Sequence, residues 1–477
     1  MLIIQSNFKR AAMLLIAMLL LLGLGSPELE AAAHAKKGGE HGKASEHHKT
    51  DEGGHEKKES AHHGDSGHHG PVKSELTFVK KLRYSWLVAY MFFLSICLGC
   101  LFIVLLHHLF DAQWIVPIRR VCEHIACLIW FPMPLLALPF LLWPSGIYDW
   151  MLADPTTDHA LKAVVKKWVF NPMGFYGFSA AVFLVLGYLA RRLRYWSLQQ
   201  DFAEAEDGEY EGKLDRIEKV ITFFARFLLG HLFESRPSVR CSRMMNIHAS
   251  YGIIMFVAML TTACFAWVKA LQYQWFSTMY GVYYFAGSVW VTCATVYMLM
   301  LLHQSQGILQ YVIRRETYHD IAKLMFAFTV FYAYIHFSQY FLIWNAAIPE
   351  ETFWYVQREK GSWWWIGQTI IFGHFFLPFL LLLRSDVKVN KSFMPLICIW
   401  AWLMHYLDMH FNIMPLIYPD GFTIYWTDFL AMGVIGGMLW SFYVKNLGRH
   451  PAYPQRDPRI AEAMGVYVEP EGGEPAH

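Results

Sequence analysis

The chain has 477 residues, of which 55% are hydrophobic, 17% aromatic and only 16% charged, and its formal net charge is +2. Soluble domains carry about 25% charged residues, so this composition excludes a soluble globular protein and indicates a chain whose solvent is lipid. The small net charge gives no support to nucleic-acid binding. The eight cysteines fall in apolar segments or in one basic loop, which is not the disulfide framework of a secreted domain.

The first 35 residues have the pattern of an export signal. Lys9 and Arg10 precede an apolar run at 11–24, and small residues at 31–35 offer a cleavage site. The run is shorter than the roughly 20 residues that cross a bilayer. We therefore expect residues 1–35 to be a signal peptide, with an uncleaved N-terminal anchor as the alternative.

A low-complexity segment follows. Residues 34–70 contain nine histidines among Gly, Lys, Glu and Ser, with almost no large apolar side chain. Such a composition cannot bury a core, so we predict that 36–83 is a disordered periplasmic segment. A solvated linker is the simpler interpretation and a metal-scavenging tract is the alternative. The weak metal-ligand candidates would be His47, His48, His62, His63, His68 and His69.

Nine further apolar segments are each long enough to cross a bilayer as a helix. They lie at 84–110, 120–143, 170–191, 246–270, 279–303, 320–345, 362–383, 392–413 and 425–445. The sequence thus predicts an all-α polytopic membrane domain over 84–445, with about nine helices, or ten if the first segment remains as an anchor. The long connection 192–245 contains an amphipathic pattern at 213–234, which predicts a helix lying along the membrane interface.

Lys and Arg are concentrated in alternate connections. From residue 84 onwards, most Lys and Arg residues lie in segments 111–119, 192–245, 304–319 and 384–391 and in the tail at 446–477, whereas 271–278 and 414–424 contain none. Basic residues are retained on the cytoplasmic side of a bacterial inner membrane. This pattern predicts a cytoplasmic C-terminus and a periplasmic N-terminal segment, although Lys80, Lys81 and Arg83 argue weakly against the latter.

Motifs for tightly bound redox groups are missing from the sequence. Cys97 and Cys100 are followed by Leu101 instead of the histidine that haem c attachment needs. No segment repeats a histidine about four turns apart, as a two-haem bundle would, and no Walker loop, nucleotide fingerprint or iron–sulfur spacing occurs. We therefore expect no cofactor bound by this chain and no catalytic residue in the strict sense.

Ionisable residues inside the apolar segments remain as the candidates for chemistry. They are costly in a bilayer, so they usually face a protein interior or a wet cavity. His405, Asp408 and Asn412 share one helical face, and a carboxylate there requires a partner. Because His and carboxylates exchange protons near neutral pH once their pKa values are tuned, a proton path is the interpretation we favour; a quinone head-group site needs similar residues. The proton-path candidates are Glu123, His124, His319, Asp320, Lys323, His336, His374, His405 and Asp408.

The stretch from Phe337, FSQYFLIWNAAIPEETFWYVQREKGSW, resembles the signature of the F subunit of alternative complex III, and so do 319–323 and 405–415. The resemblance covers about 84–445. It implies the NrfD/PsrC-like fold, a pair of four-helix bundles with extra helices. It also implies membership of a complex that oxidises quinol and passes electrons to cytochrome c or another periplasmic acceptor. Iron–sulfur clusters and haem c would belong to partner subunits, next to the C subunit paralogue.

For this subunit the resemblance implies a proton path or a second quinone-type pocket without a redox metal of its own. Further candidates for a quinone pocket or a partner contact are Gln339, Trp344, Glu350 and Glu351. Two alternatives stay open. A scaffold would have all its buried polar groups paired internally, and His319, Asp320 and Lys323 would be solvated at the interface. A metal or solute transporter would need repeated broken helices, for which Pro132-Met133-Pro134 is the only cluster at depth.

Overall fold

The computed structural model describes residues 78–153, 170–202 and 237–466. The predicted signal or anchor at 1–35, the histidine pairs of the low-complexity segment and the amphipathic pattern at 213–234 lie outside these residues. The same holds for the end of the tail, 467–477.

Helices account for all the regular structure in the described ranges. In chain order they are α1 (Phe78–Phe110), α2 (Val116–Ala126), α3 (Met133–Leu142), α4 (Pro172–Phe202), α5 (Pro237–Trp267), α6 (Tyr280–Ser305), α7 (Arg315–Ala346), α8 (Pro349–Arg358), α9 (Ser362–Ile370), α10 (Leu377–Leu383), α11 (Ser385–Val389), α12 (Met394–Ile413), α13 (Trp426–Leu447) and α14 (Ile460–Ala463). A π-helical turn, Ile371–Phe376, joins α9 to α10. Short 3-10 turns fill several of the connections.

Eight helical units in the described ranges are long and apolar enough to cross a membrane. They are α1, Gln113–Leu142 (which includes α2 and α3), α4, Val239–Trp267 in α5, α6, α7, Ser362–Leu383 (α9 to α10) and α13. This confirms an all-α, multi-pass membrane protein, with one span fewer than the nine predicted after the first segment. The ninth segment, 392–413, does form the 20-residue helix α12. It does not reach the required hydropathy because His405, Asp408 and His410 interrupt its apolar sequence.

The first described helix is the centre of the bundle. Almost every residue of α1 is buried, and it packs against α2, α5, α6, α12 and α13. The approach to α6 is close: a Cβ at Gly99 would lie 2.1 Å from Thr292 Oγ1. Only glycine can therefore occupy this position without moving α1 away from α6.

The helices alternate in direction, so the bundle has two ends, which we name after a buried arginine at each. The Arg119 end contains the end of α1, the start of α2, the end of α4 and the last residues of α13. The Arg358 end contains the start of α1, the ends of α5 and α12, and α8. There, Tyr84 donates to the Ile147 carbonyl at 3.0 Å and Tyr148 donates to the Trp267 carbonyl at 3.0 Å.

Candidate functional site

A buried carboxyl group lies at the centre of the most polar part of the core. Asp408 is 1% exposed, and His405 and Asn412 on the same face of α12 are 0% and 4% exposed. The Tyr283 hydroxyl donates to Asp408 Oδ1, and Asn412 Nδ2 lies 3.2 Å from the same oxygen. Asp408 Oδ2 has no hydrogen-bond partner in the described part of the chain. The face predicted from sequence is therefore buried, and the partner that the carboxyl group requires is a tyrosine of α6.

Two more tyrosines extend this arrangement. The hydroxyls of Tyr283 and Tyr332 are 3.1 Å apart, and Asn412 Nδ2 donates to the Tyr283 hydroxyl at 3.0 Å. Tyr280 donates to Asn412 Oδ1 at 2.8 Å. We call Tyr280, Tyr283, Tyr332, Asp408 and Asn412 the Asp408 network. It joins α6, α7 and α12 in a low-dielectric interior, where hydrogen bonds are strong and unpaired polar atoms are costly.

The imidazole of His374 is stacked between two aromatic rings. Its centroid lies 3.7 Å from that of Trp290 and 3.6 Å from that of Tyr332. Neither ring nitrogen has a hydrogen-bond partner among the described residues. His374 belongs to the π-helical turn Ile371–Phe376, a deformation that is frequent at functional sites. Because Tyr332 belongs to the Asp408 network, the imidazole of His374 is in direct contact with that network.

Two other histidines border the network. His405 Nε2 is 2.9 Å from Ser95 Oγ of α1, while its Nδ1 is unpaired in the described structure. The His405 ring lies against Gly287, where a Cβ would be 3.1 Å from Cε1. The His336 ring lies 5.5 Å from that of Tyr283. The structure thus brings together four of the predicted proton-path residues: His336, His374, His405 and Asp408.

A cavity of about 610 Å³ opens beside these residues. Aromatic and aliphatic side chains form most of its lining, and the polar groups at its wall include His336, Tyr332, Arg358 and Gln368. Its volume lies within the range of small-molecule sites, about 300–1,000 Å³. Because Tyr332 both lines the cavity and contacts Tyr283, the cavity borders the Asp408 network directly.

Arg358 brings a buried positive charge to the cavity wall. It is 2% exposed, and its guanidinium carbon lies 3.5 Å from the centre of the Trp354 ring. It donates to the carbonyl oxygens of Trp354, Phe411 and Asn412 at 2.8–2.9 Å. No carboxylate of the described residues lies within ion-pair distance of it. The group therefore holds the C-terminal end of α12 and leaves its charge uncompensated by a carboxylate.

The four candidates for a quinone pocket or a partner contact do not line this cavity. Gln339 is buried, accepts from Ser277 and donates to Tyr355, both at 3.0 Å, which fixes α8 against α7. Trp344 is 64% exposed and Glu350 is exposed. The backbone carbonyl of Glu351 accepts from Trp275 at 2.9 Å. The exposed Trp344 and Glu350 suit contacts with a partner or with lipid, whereas Gln339 is an internal contact between helices.

His319, Asp320 and Lys323 lie far from the Asp408 network. His319 precedes His336 by 17 residues on α7, which is about 25 Å along a helix. Lys323 donates to Asp320 at 3.0 Å, and their side chains are 56% and 27% exposed. The structure therefore places this group at the surface of the other end, as the solvated alternative expects.

Glu123 and His124 lie at the Arg119 end, in different surroundings. Glu123 Oε1 is 3.2 Å from Arg119 and Oε2 is 3.3 Å from Arg120. Arg120 also pairs with Asp201 of α4, and Arg119 pairs with Asp457 of the tail. We call Arg119, Arg120, Glu123, Asp201 and Asp457 the Arg119 clasp. Glu123 thus forms ion pairs with two cations, although neither of its oxygens accepts a hydrogen bond in the described structure, and both nitrogens of the buried His124 are unpaired there.

The clasp also holds the segment that follows α13. Asp201 Oδ1 accepts from the backbone N–H of Gln455 at 2.9 Å, and Asp457 Oδ1 accepts from Arg459 Nε at 3.0 Å. Burial alone would raise the pKa of Asp457, but Arg119 and Arg459 outweigh it and hold this pKa well below its usual range. Asp457 therefore stays ionised, as expected for a structural ion pair rather than a proton carrier.

The two ends are not joined by hydrogen bonds in the described structure. Between them α6 presents Ser288 and Thr295, whose hydroxyls donate to the carbonyls four residues earlier. No group of His, Cys, Asp and Glu that could hold a metal ion occurs in 78–153, 170–202 or 237–466. Comparisons with protein-family models and with curated proteins found no match for this chain. The functional argument therefore depends on the geometry.

Proposed function

We propose that this chain is an inner-membrane subunit of a quinol:acceptor oxidoreductase of the alternative complex III type, and that the Asp408 network exchanges protons in it. The observation that carries the proposal is a fully buried carboxyl group with one free oxygen, surrounded by tyrosines and imidazoles. A purely structural carboxylate would be expected to have both oxygens paired. Partner subunits would supply the iron–sulfur clusters and haem c.

The chemistry follows from the groups present. Asp408 can take a proton on Oδ2 and release it, through a bridging water, to a neutral imidazole, which leaves a carboxylate and an imidazolium. Tyr283 stabilises the carboxylate by donating to Oδ1, and its hydroxyl also contacts that of Tyr332. A hydroxyl relays a proton by donating one and accepting another. Quinol oxidation elsewhere in the complex would bias these protonation states.

A quinone-type pocket is the second candidate, and the cavity of about 610 Å³ favours it. Aromatic walls suit a planar ring, and His336 and Arg358 at the wall could donate to its carbonyl oxygens. Tyr332 would link such a ring to the Asp408 network. This candidate is compatible with the first, because a reduced ring in this cavity would release its protons next to Tyr332.

A scaffold is the main rival. The Arg119 clasp favours it at that end, since its carboxylates are all held by arginines. At the Arg358 end Asp408 argues against it, because one of its oxygens has no hydrogen-bond partner and no arginine of the described residues forms an ion pair with it. The transporter alternative has less support: the chain is interrupted between α2 and α3, and Ser362–Leu383 contains a π-helical turn, but no repeated pair of broken helices emerges from the described ranges.

Purification of the complex tests the assignment. The full-length chain would be tagged at its C-terminus and extracted in mild detergent, and its subunits would be identified by mass and by their visible absorbance. We expect haem c and iron–sulfur subunits to copurify together with quinol oxidation. A colourless chain without partners would refute the oxidoreductase assignment and favour a transporter.

A further inference from the structure

A second cavity, of about 750 Å³, lies between α1, α2, α6, α12 and α13 and takes no part in the site described above. Its lining is almost entirely apolar, with Thr295, Tyr443 and two cysteine thiols as the exceptions. α12 and α13 both pack against α1 but hardly against each other. Ile399 of α12 and Trp440 of α13 line the cavity and are 58% and 46% exposed. The cavity is therefore open sideways, between two helices that face the bilayer.

Two glycines make room for this opening. Gly433 and Gly437 lie one turn apart on α13, and a Cβ at either would meet no atom within 4 Å. Gly436, between them, is different, because its Cβ would lie 2.7 Å from the ring of Phe93. Glycine weakens a helix relative to alanine. The close contact with Phe93 explains why position 436 is a glycine. A larger side chain would fit at 433 and 437, so helix packing does not explain the glycines there.

An apolar space of this size does not hold ordered water, and its walls lose dispersion contacts when it is empty. Where a cavity opens sideways into a bilayer, the groups available to fill it are the hydrocarbon chains of lipids. An apolar cavity that opens sideways and has aliphatic, aromatic and glycine residues in its wall suits such a chain, and its lining contains no charged group that would bind a polar head group at mid-depth.

The surroundings of the cavity at the Arg119 end are basic. Tyr443 marks this end of the lining, and its hydroxyl is 2.6 Å from His303 Nε2. Six residues after Tyr443, beyond the end of α13, lies the exposed Arg449. The charge of Arg194 interacts with the side chain of Cys127, and Cys127 directly precedes the lining residue Leu128 in the chain. Burial lowers the pKa of His450, and Arg194, Arg120 and Arg449 lower it further, so positive potential prevails at His450.

We propose that the cavity between α12 and α13 is a lipid site, in which one acyl chain of an anionic phospholipid lies along Gly433 and Gly437 and the phosphate contacts Arg449 and Arg194. Basic residues at the membrane surface attract anionic lipids, and the slot for the chain begins at the same end. The site would hold α12, which contains Asp408, in a fixed position relative to α13.

Photocrosslinking tests the proposal on the full-length protein with whatever subunits copurify. The probe is phosphatidylglycerol with a diazirine in one acyl chain, incorporated into phosphatidylcholine nanodiscs, and crosslinked peptides are mapped by mass spectrometry. We expect crosslinks to concentrate at 396–402 and 429–440. The double variant Gly433→Leu, Gly437→Leu should remove them, because leucines fill the slot. Gly177→Leu is the matched control: this glycine of membrane helix α4 also has open space around it but lies elsewhere.

The head-group part of the proposal has its own variant. Arg449→Gln leaves the cavity intact and should reduce crosslinking by phosphatidylglycerol about fivefold, with no change for the same probe on phosphatidylcholine. Crosslinks spread evenly over all lipid-facing helices would refute the site. Crosslinking that persists in the double glycine variant would refute the slot, and equal labelling by both lipids would refute the anionic head group. Displacement of the probe by a quinone with a long isoprenoid tail would show that the occupant is not a phospholipid.

Discussion

Replacing Tyr283 with Phe removes one hydroxyl and no ring, which makes it a sensitive test of the Asp408 network. This hydroxyl donates to Asp408, lies 3.1 Å from that of Tyr332 and accepts from Asn412 at 3.0 Å. Hydrogen bonds between membrane helices average about 0.6 kcal/mol, and this hydroxyl takes part in three of them. We therefore expect Tyr283→Phe to lower the free energy of unfolding by about 2 kcal/mol.

Tyr297→Phe is the control on the same helix. Tyr297 is also buried, but its hydroxyl makes one bond, to the carbonyl of Lys388 at 3.1 Å. Its loss should cost about 0.6 kcal/mol. Both variants would be unfolded reversibly in mixed micelles with increasing SDS. Equal costs for the two variants would contradict the geometry around Asp408, and so would an effect of Tyr283→Phe that adds independently to that of Asp408→Asn, since contacting groups are coupled.

Three further predictions concern the Arg119 clasp and the buried arginine at the other end. Asp457→Asn should lower the free energy of unfolding by about 3 kcal/mol, because it breaks a buried ion pair, whereas Asp386→Asn, in the exposed pair with Arg384, should have no measurable effect in the same SDS titration. Because the pKa of Asp457 is held below its usual value, its contribution is complete above the unfolded pKa of about 3.9 and is lost as the pH falls further. Amide hydrogen exchange at 455–459, corrected for the intrinsic exchange rate at each pH, should thus show constant protection from pH 8 to 5 and lose it only below about pH 4. Arg358→Lys should destabilise almost as much as Arg358→Gln in a melting experiment, since an ammonium cannot donate to three carbonyls in the fixed directions of a guanidinium; full recovery by lysine would contradict this role.

The apolar segments predicted the helices well because bilayer thickness fixes their length and composition. The exception is informative. Helix α12 was predicted as a span, yet it is not among the eight units that are apolar enough to cross a membrane, since it contains the polar face at 405–412. The distribution of Lys and Arg predicts which side of the membrane each end of the bundle faces. The structure contains no membrane, so this orientation stays a prediction.

The candidate site was predicted only in part. The spacing of His405 and Asp408 placed them on one buried face, but nothing local in the sequence indicated which side chain of another helix would meet them. Tyr283 and Tyr332 are two of 25 tyrosines, most easily attributed to interfacial belts. Arg358 is the last residue of α8 and lies in a charged stretch of the sequence, so an exposed side chain would be expected. In the structure this side chain is buried.

At the Arg119 end the sequence indicated ionisable residues but not their pairing. Glu123 was expected to carry protons because a carboxylate in an apolar segment is costly. Its partners are Arg119, which was counted only as an orienting charge, and Arg120. The clasp is completed by Asp201 and Asp457, which are 81 and 338 residues away from the arginines they bind. Such distant pairs cannot be predicted from one sequence, because periodicity reports only which face is buried.

The most direct test of the central claim is proton release by the complex reconstituted in proteoliposomes, measured with a pH-sensitive dye during quinol oxidation in wild type, Asp408→Asn and His405→Ala. Asparagine keeps the size of the side chain and the hydrogen bond from Tyr283 but cannot take up a proton. We predict that quinol oxidation or the number of protons released per quinol falls in both variants, about a hundredfold in rate if proton transfer limits turnover. Unchanged quinol oxidation and unchanged proton release in both variants would contradict the proposal that the Asp408 network exchanges protons.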